Sequence, residues 1–402
     1  MSPCVMHASA PVEPIIKQDV EKLRSSLLKL FGKGHPLDIL ERASSRAPER
    51  ALHNGITIRN GRIFVYLLDF LPADLPYGSD KPANTKDGKI VPATFLLENL
   101  GWNASFVNGT LIIDVRSLFN IDYVLRDDRA LNLLAFLFTI SGILKSNNEE
   151  KVAAVNVLQY AAAQDNPCAK LNLGRCLERG IGLRRDYPNA VQFYRQVADE
   201  ADRYGRVADG ASVPFCGVYA SAQYHYGRCL YSGIGVPNND AQAVTYLKLS
   251  AENGNPMGQY FYGYCLEQGI GIERNPEEAV QYYRLSADQG HAGGQCNYGL
   301  CLRSGIGIKQ NLAEAVKYYK LSADQGYALG QCCYGICLEY RIGIAKDEGE
   351  AVKYYRLSAN QGNTEAQRRL EGLERELSAR QAVTYRKLSA AQGHAGAQRR
   401  LS

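Results

Sequence analysis

The chain has 402 residues, 46% hydrophobic and 22% charged, with a formal net charge of +5. That composition excludes a disordered chain, and the charge is too small for the concentrated basic face of a nucleic-acid binder. Eleven cysteines in so long a chain are not a small disulfide scaffold, and an odd number cannot all pair internally.

The first residues, "MSPCVMHASAPVEPIIKQDV", lack a basic segment followed by an apolar run, so they do not read as a secretory signal. Residues 1–14 are expected to be a disordered tail and the location cytoplasmic. Residues 15–126 do not repeat and read as a small α+β domain. "IIKQDVEKLRSSLLKLF" and "LDILERASS" have helical patterns, and "VPATFLLENLGW" a short one. "GITIRNGRIFVYLLDF" and "NASFVNGTLIIDV" read as hairpins that turn at Asn60-Gly61 and Asn108-Gly109. The most apolar window, Leu131 to Leu144, is too short for a membrane span and suits a buried helix, so no span is expected.

From 127 to 402 the chain is repetitive. "YGRC", "YGYC", "YGLC" and "YGIC" place Gly227, Gly263, Gly299 and Gly335 at a constant step of 36 residues. "LGRC" at Gly174 belongs to the same series, but about 17 extra residues separate it from the next copy, near Asp202–Val218. "GIG", "AV" and "YYRLSADQG"-like segments recur in register, and a shortened copy over about 364–402 lacks the GxG. Each unit reads as two helices. Helix A ends on a glycine suited to a left-handed cap, and helix B, as in "NLAEAVKYYKLSADQG", opens on an Asn cap. A glycine inside helix A, as in "YGLC", costs about 1 kcal/mol relative to alanine, so its recurrence implies close helix contact.

The pattern A/G-Q-x-x-Y/L-G-x-C-L-x-x-G-x-G-I/V, E-A-V-x-Y-Y, S-A-x-Q-G resembles the Sel-one-like repeat, a relative of the tetratricopeptide repeat. The resemblance covers roughly the last 250 residues. It implies a mainly α protein, an α/α solenoid whose inner surface binds other proteins. The N-terminal region carries no family resemblance of comparable strength.

The features that look like chemistry have architectural readings. "SGIGIKQ" follows a helix and leads into another, so it is an interhelical turn rather than a phosphate loop. Cys176, Cys229, Cys265, Cys301 and Cys337 share one repeat position and read as small buried hydrophobes. The tyrosine pairs, such as Tyr282/Tyr283, read as packing between layers. No nucleophile stands with a base, and no cofactor or metal ligand set is seen, so no enzyme is expected.

Comparison between repeats separates frame from variation. Relative to the recurrent glycine, positions −2, +1 and +5 of helix A change most and share one helical stripe. They are Asn172, Arg175 and Arg179; His225 and Arg228; Phe261, Tyr264 and Gln268; Asn297 and Leu300; Ile336 and Tyr340. The stripe is expected to form a groove, basic at one end and aromatic to apolar at the other, that binds segments of other proteins. The expected function is therefore a non-enzymatic interaction scaffold or adaptor, with no nucleic-acid partner and no particular oligomeric state. The alternatives are a secreted, disulfide-linked repeat protein that binds peptide or wall ligands, and an enzyme with its catalytic site in the N-terminal domain.

Overall fold

The computed structural model describes residues 12–31, five strands within 50–114, 134–135, 146–201 and 216–391. The chain divides into two compact units, Met1–Gly290 and His291–Ser402.

In the first unit, helix α1 (Val12–Phe31) buries Ile16, Val20 and Leu23, one stripe at helical spacing. It packs on α2 (Asn148–Ala163), with Lys22 on Glu149 at 2.8 Å and Asn156 donating to Asp19 at 2.9 Å. Strands β1 (Arg50–His53), β2 (Ile56–Arg59), β3 (Arg62–Tyr66), β4 (Ala104–Val107) and β5 (Thr110–Asp114) form an antiparallel sheet of order β1-β2-β3-β5-β4. Strand pairs β2–β3 and β4–β5 close Arg59 onto Arg62 and Val107 onto Thr110, where hairpins are expected. Of the expected disordered tail over 1–14, residues 12–14 instead belong to α1, and the remainder, with the helices over 37–45 and 91–102 and the loop over 71–89, lies outside the described residues. The strands alone do not establish a domain over 15–126. Of the apolar window 131–144, Leu134 and Ala135 are helical and buried, and the remainder also lies outside the description.

The rest is helical. Helices α3 (Pro167–Arg179), α4 (Tyr187–Glu200), α5 (Cys216–Ser232), α6 (Asp240–Glu252), α7 (Pro256–Gln268) and α8 (Pro276–Asp288) complete the first unit. The second contains α9 (Ala292–Ser304), α10 (Leu312–Asp324), α11 (Ala328–Tyr340), α12 (Glu348–Ala359) and α13 (Thr364–Ala391). Within each unit consecutive helices pack on each other, and helix A of one repeat also touches helix A of the next. This is an α/α solenoid. The inserted residues 202–215 lie outside the description. The shortened last copy has no GxG turn, and its helical segments run on as the single 28-residue α13.

Local chemistry sets the boundaries. Asp186, Asn239, Asn275, Asn311 and Asp347 each accept a bond from the third backbone N–H of a helix B, a cap contributing about 1 kcal/mol. Helix A ends on Gly180, Gly269 and Gly305 in the left-handed conformation, and Arg341 holds the same conformation at φ 59°. "SGIGIKQ" is the turn from α9 to α10, pinned by Asn311 N–H on the Leu302 carbonyl at 2.8 Å.

The mid-helix glycine has its expected reason. A Cβ on Gly174 would meet the Tyr194 ring at 2.6 Å, and one on Gly335 would meet Tyr355 at 2.7 Å. The second tyrosine of each pair is thus the one pressed on the glycine, and Tyr194, Tyr283, Tyr319 and Tyr355 are fully buried. The cysteine column is also buried; desolvation raises the Cys229 thiol to about 11 and those of Cys265 and Cys337 to about 12. Protonated, enclosed thiols of this kind are packing groups, not nucleophiles.

Polar ladders lock successive repeats. Ser250 and Ser286 Oγ donate to the carbonyls of Ala220 and Pro256, and Ser322 and Ser358 donate to those of Ala292 and Ala328. A parallel ladder of amides joins Asn253 to Gln223 and Gln289 to Gln259 in the first unit, and Gln325 to Gln295 and Gln361 to Gln331 in the second. Its first rung is ionic: Lys170 Nζ lies 2.8 Å from Glu200 and 3.0 Å from Asp165.

Candidate functional site

The variable stripe of helix A does not reach solvent uniformly. Position +5 does: Gln268 is exposed, Tyr340 is 57% exposed, and Arg179 is half-buried. Arg228, Phe261, Tyr264, Asn297, Leu300 and Ile336 are half-buried. Asn172, Arg175 and His225 are buried, at 0%, 4% and 4% exposure. Positions −2 and +1 sit where helix A meets helix A of the adjoining repeat, and that contact closes over Asn172, Arg175 and His225.

The expected basic end is accordingly an internal polar cluster. Arg175 donates to His225 Nε2 at 3.2 Å, to Ser221 Oγ at 3.0 Å and to Asn172 Oδ1 at 3.4 Å. Because Nε2 accepts, the neutral ring carries its proton on Nδ1, which is buried with no partner. Burial holds the His225 pKa well below the usual histidine range, and the charges of Arg175, Arg228 and Arg179 add to that. The ring stacks on Tyr194 at 4.8 Å. Arg228 pairs with Glu178, which also accepts from Tyr194 OH at 2.7 Å. Burial opposes the Arg228 charge, and the neighbouring Glu178, Tyr224 and Cys229 together outweigh it. Arg175 and Arg228 are therefore engaged inside the protein rather than offered as a free basic patch.

The aromatic part of the stripe is more open. Phe261 packs at 5.5 Å from Tyr224 and 5.1 Å from Tyr260 in the first unit. In the second, Tyr340 lies under the Arg369 guanidinium at 5.4 Å, and Arg369 is fixed by Glu365 at 2.6 Å and Glu339 at 3.4 Å. Sequence reasoning missed Arg369 because it belongs to the degenerate α13, outside the repeat register. It also missed Glu178, although the recurrence of glutamate four residues after the glycine, at Glu178, Glu267 and Glu339, was available as a signal. Tyr194, Tyr283 and Tyr355 donate to those three carboxylates. Arg303 holds that position in the fourth repeat, and Tyr319 OH is left buried without a partner.

Among the described residues no group of three or more His, Cys, Asp or Glu could hold a metal, and no helix is long and apolar enough to cross a membrane.

The family comparison agrees with this frame. The Sel1 repeat model matches residues 169–202, 220–255, 256–291, 292–327 and 327–363. Among solved structures, a protective antigen of uropathogenic Escherichia coli displaying an SLR fold is 25% identical at a TM-score of 0.50. That alignment covers 78% of this chain and 64% of the antigen. A Sel1 repeat protein from Oxalobacter formigenes is 28% identical at a TM-score of 0.48, covering 56% of this chain and 83% of that one. Sel1 repeats are generally non-catalytic scaffolds that bind other proteins. The caps, glycine–tyrosine contacts and inter-repeat ladders of residues 169–363 are those of five Sel1 repeats, and that part of the chain is a Sel1 repeat array.

Proposed function

We propose that this chain is a non-enzymatic adaptor whose helix-A stripe docks segments of partner proteins. The observation that carries the reading is aromatic and amide surface left open at varying positions of an otherwise repeated frame. Phe261, Tyr264 and Gln268 offer it in the first unit, and Tyr340, 57% exposed, offers it in the second with Leu300 and Ile336. Partly covered aromatics anchor peptide segments well, because they present a large area with few rotatable bonds. The burial of Arg175 and the pairing of Arg228 favour a partner anchored by apolar and aromatic residues over one held by acidic residues at the first repeats.

The nine described cysteines are all buried, which supports a reducing, cytoplasmic setting over a disulfide-linked secreted one. The test is affinity purification of the full chain with quantitative mass spectrometry, wild type against Gln268→Lys and Tyr340→Ala. Both substitutions are at exposed positions and leave the frame intact. The proposal expects specific partners to drop about tenfold or more in at least one variant. An unchanged partner set in both would remove the stripe from the binding surface.

A further inference from the structure

Four of the five A helices carry a tyrosine immediately before the recurrent glycine. Each stands edge-on to a tyrosine of the helix B that follows: Tyr226 on Tyr246 at 4.6 Å, Tyr262 on Tyr282 at 4.7 Å, Tyr298 on Tyr318 at 4.8 Å and Tyr334 on Tyr354 at 4.8 Å. Two hydroxyls then tie their helix to the preceding helix B, Tyr246 donating to Asp199 at 2.6 Å and Tyr354 to Asp324 at 3.2 Å. In the first repeat all these pieces differ at once. Leu173 replaces the first tyrosine, Phe193 the second, and Ala163 stands where the receiving aspartate would be.

The space so released is an open cavity of about 840 Å³ between α2 and α4, with α3 beneath. Leu173, Leu177, Phe193 and Ala162 make its apolar surface. Asp165, Asp199 and Glu200 stand around it with the exposed amides of Gln159 and Gln196. Among the described residues the one cation lining it, Lys170, is buried and already held by Asp165 and Glu200, while Asp199 is shared with the exposed Arg195 at 3.5 Å. Three carboxylates against one lysine leave the lining negative.

We infer that this cavity is a second docking place, taking an aromatic side chain from a partner peptide that carries lysine or arginine beside it. The same place in every later repeat is filled by the chain's own tyrosine, so the shape is one that an aromatic ring fits. The carboxylates select basic neighbours and disfavour acidic ones. No residue lining the cavity belongs to the helix-A stripe, so its use does not depend on that stripe.

The probe is the synthetic peptide acetyl-Gly-Arg-Tyr-Arg-Gly-amide, titrated into the full-length chain by calorimetry or ¹H–¹⁵N NMR. Versions with alanine for tyrosine, and with glutamate for both arginines, are run beside it. The inference expects saturable binding of the Arg-Tyr-Arg peptide, with both controls weaker by about tenfold or more. Leu173→Tyr, which restores the residue of the later repeats, should abolish binding without lowering the melting temperature. Should that variant fold poorly, Gln196→Lys at the exposed rim should weaken binding severalfold and reduce its salt dependence. Gln268→Lys and Tyr340→Ala should leave it unchanged, which separates this site from the stripe. Equal affinity for the three peptides, or full binding by Leu173→Tyr, overturns the inference. So does wild-type self-association that Leu173→Tyr removes, which would assign the cavity to a second copy of the chain.

Discussion

The junction of α2 with α4 and the junction of α6 with α8 are the same piece of architecture built from different residues. The later one is closed by Tyr262 on Tyr282, the Gln289–Gln259 rung and the Ser286 bond to the Pro256 carbonyl. The earlier one has Leu173, Phe193, a Glu200–Lys170 rung and Val197 in the serine position. The exchanges have unequal consequences. An ion pair can stand in for an amide pair because both satisfy the same buried positions. A leucine cannot stand in for a tyrosine, because volume is lost and the gap stays open.

This comparison can be broken at the rung. Lys170→Ala leaves Glu200 without its partner and should lower stability by about 3 kcal/mol in urea denaturation. The double change Lys170→Gln with Glu200→Gln builds the later type of rung and should stay within about 1 kcal/mol of wild type. A double variant as unstable as Lys170→Ala would show that the two rungs are not equivalent.

A cap sharpens it in the second unit. His291 Nδ1 accepts from the Gly294 N–H at 3.0 Å, the work done by Asn166 and Asn255 in earlier repeats. Burial lowers the His291 pKa to about 4. The unfolded chain takes up a proton below its ordinary value of about 6.5, while the folded chain does not. Stability should therefore fall as pH drops from about 6.5 to about 4, by up to about 3 kcal/mol, and level off below. His291→Asn keeps the cap and should flatten that slope; an unaltered slope would place the titration elsewhere.

The smallest effect contrasts two tyrosines within that unit. Tyr355→Phe removes a bond to Glu339 of 2.6 Å and should cost about 1–2 kcal/mol. Tyr319→Phe removes a buried hydroxyl that has no partner, and should be neutral or slightly stabilising. Equal losses would mean that the glutamate at this repeat position contributes nothing.

The repeat frame was legible because it is written five times: helix boundaries, caps, the glycine approach and the cysteine column all follow from local pattern. The stripe was legible only in part. Variation marks positions −2 and +1, but variation does not distinguish solvent from a helix–helix contact that changes composition as a unit. Asn172, Arg175 and His225 vary together because they bond to one another. The cavity was hidden for the opposite reason: Leu173 is an acceptable apolar residue at its position, and only its missing volume matters. The strands β2 to β5 carried the period-two signal, whereas β1 was passed over although Asn54-Gly55, a hairpin signal, stands between it and β2 in the sequence.

The central claim is that the residues shared by the repeats are structure and that function resides in the departures. Counting thiols tests it most directly. The account predicts eleven titratable thiols under denaturing, non-reducing conditions. Under native conditions none of the nine described cysteines should react rapidly, so at most Cys4 and Cys216 should. Fewer than eleven thiols on denaturation, or rapid native reaction at Cys176, Cys229, Cys265, Cys301 or Cys337, would contradict it by showing that the repeated column carries chemistry.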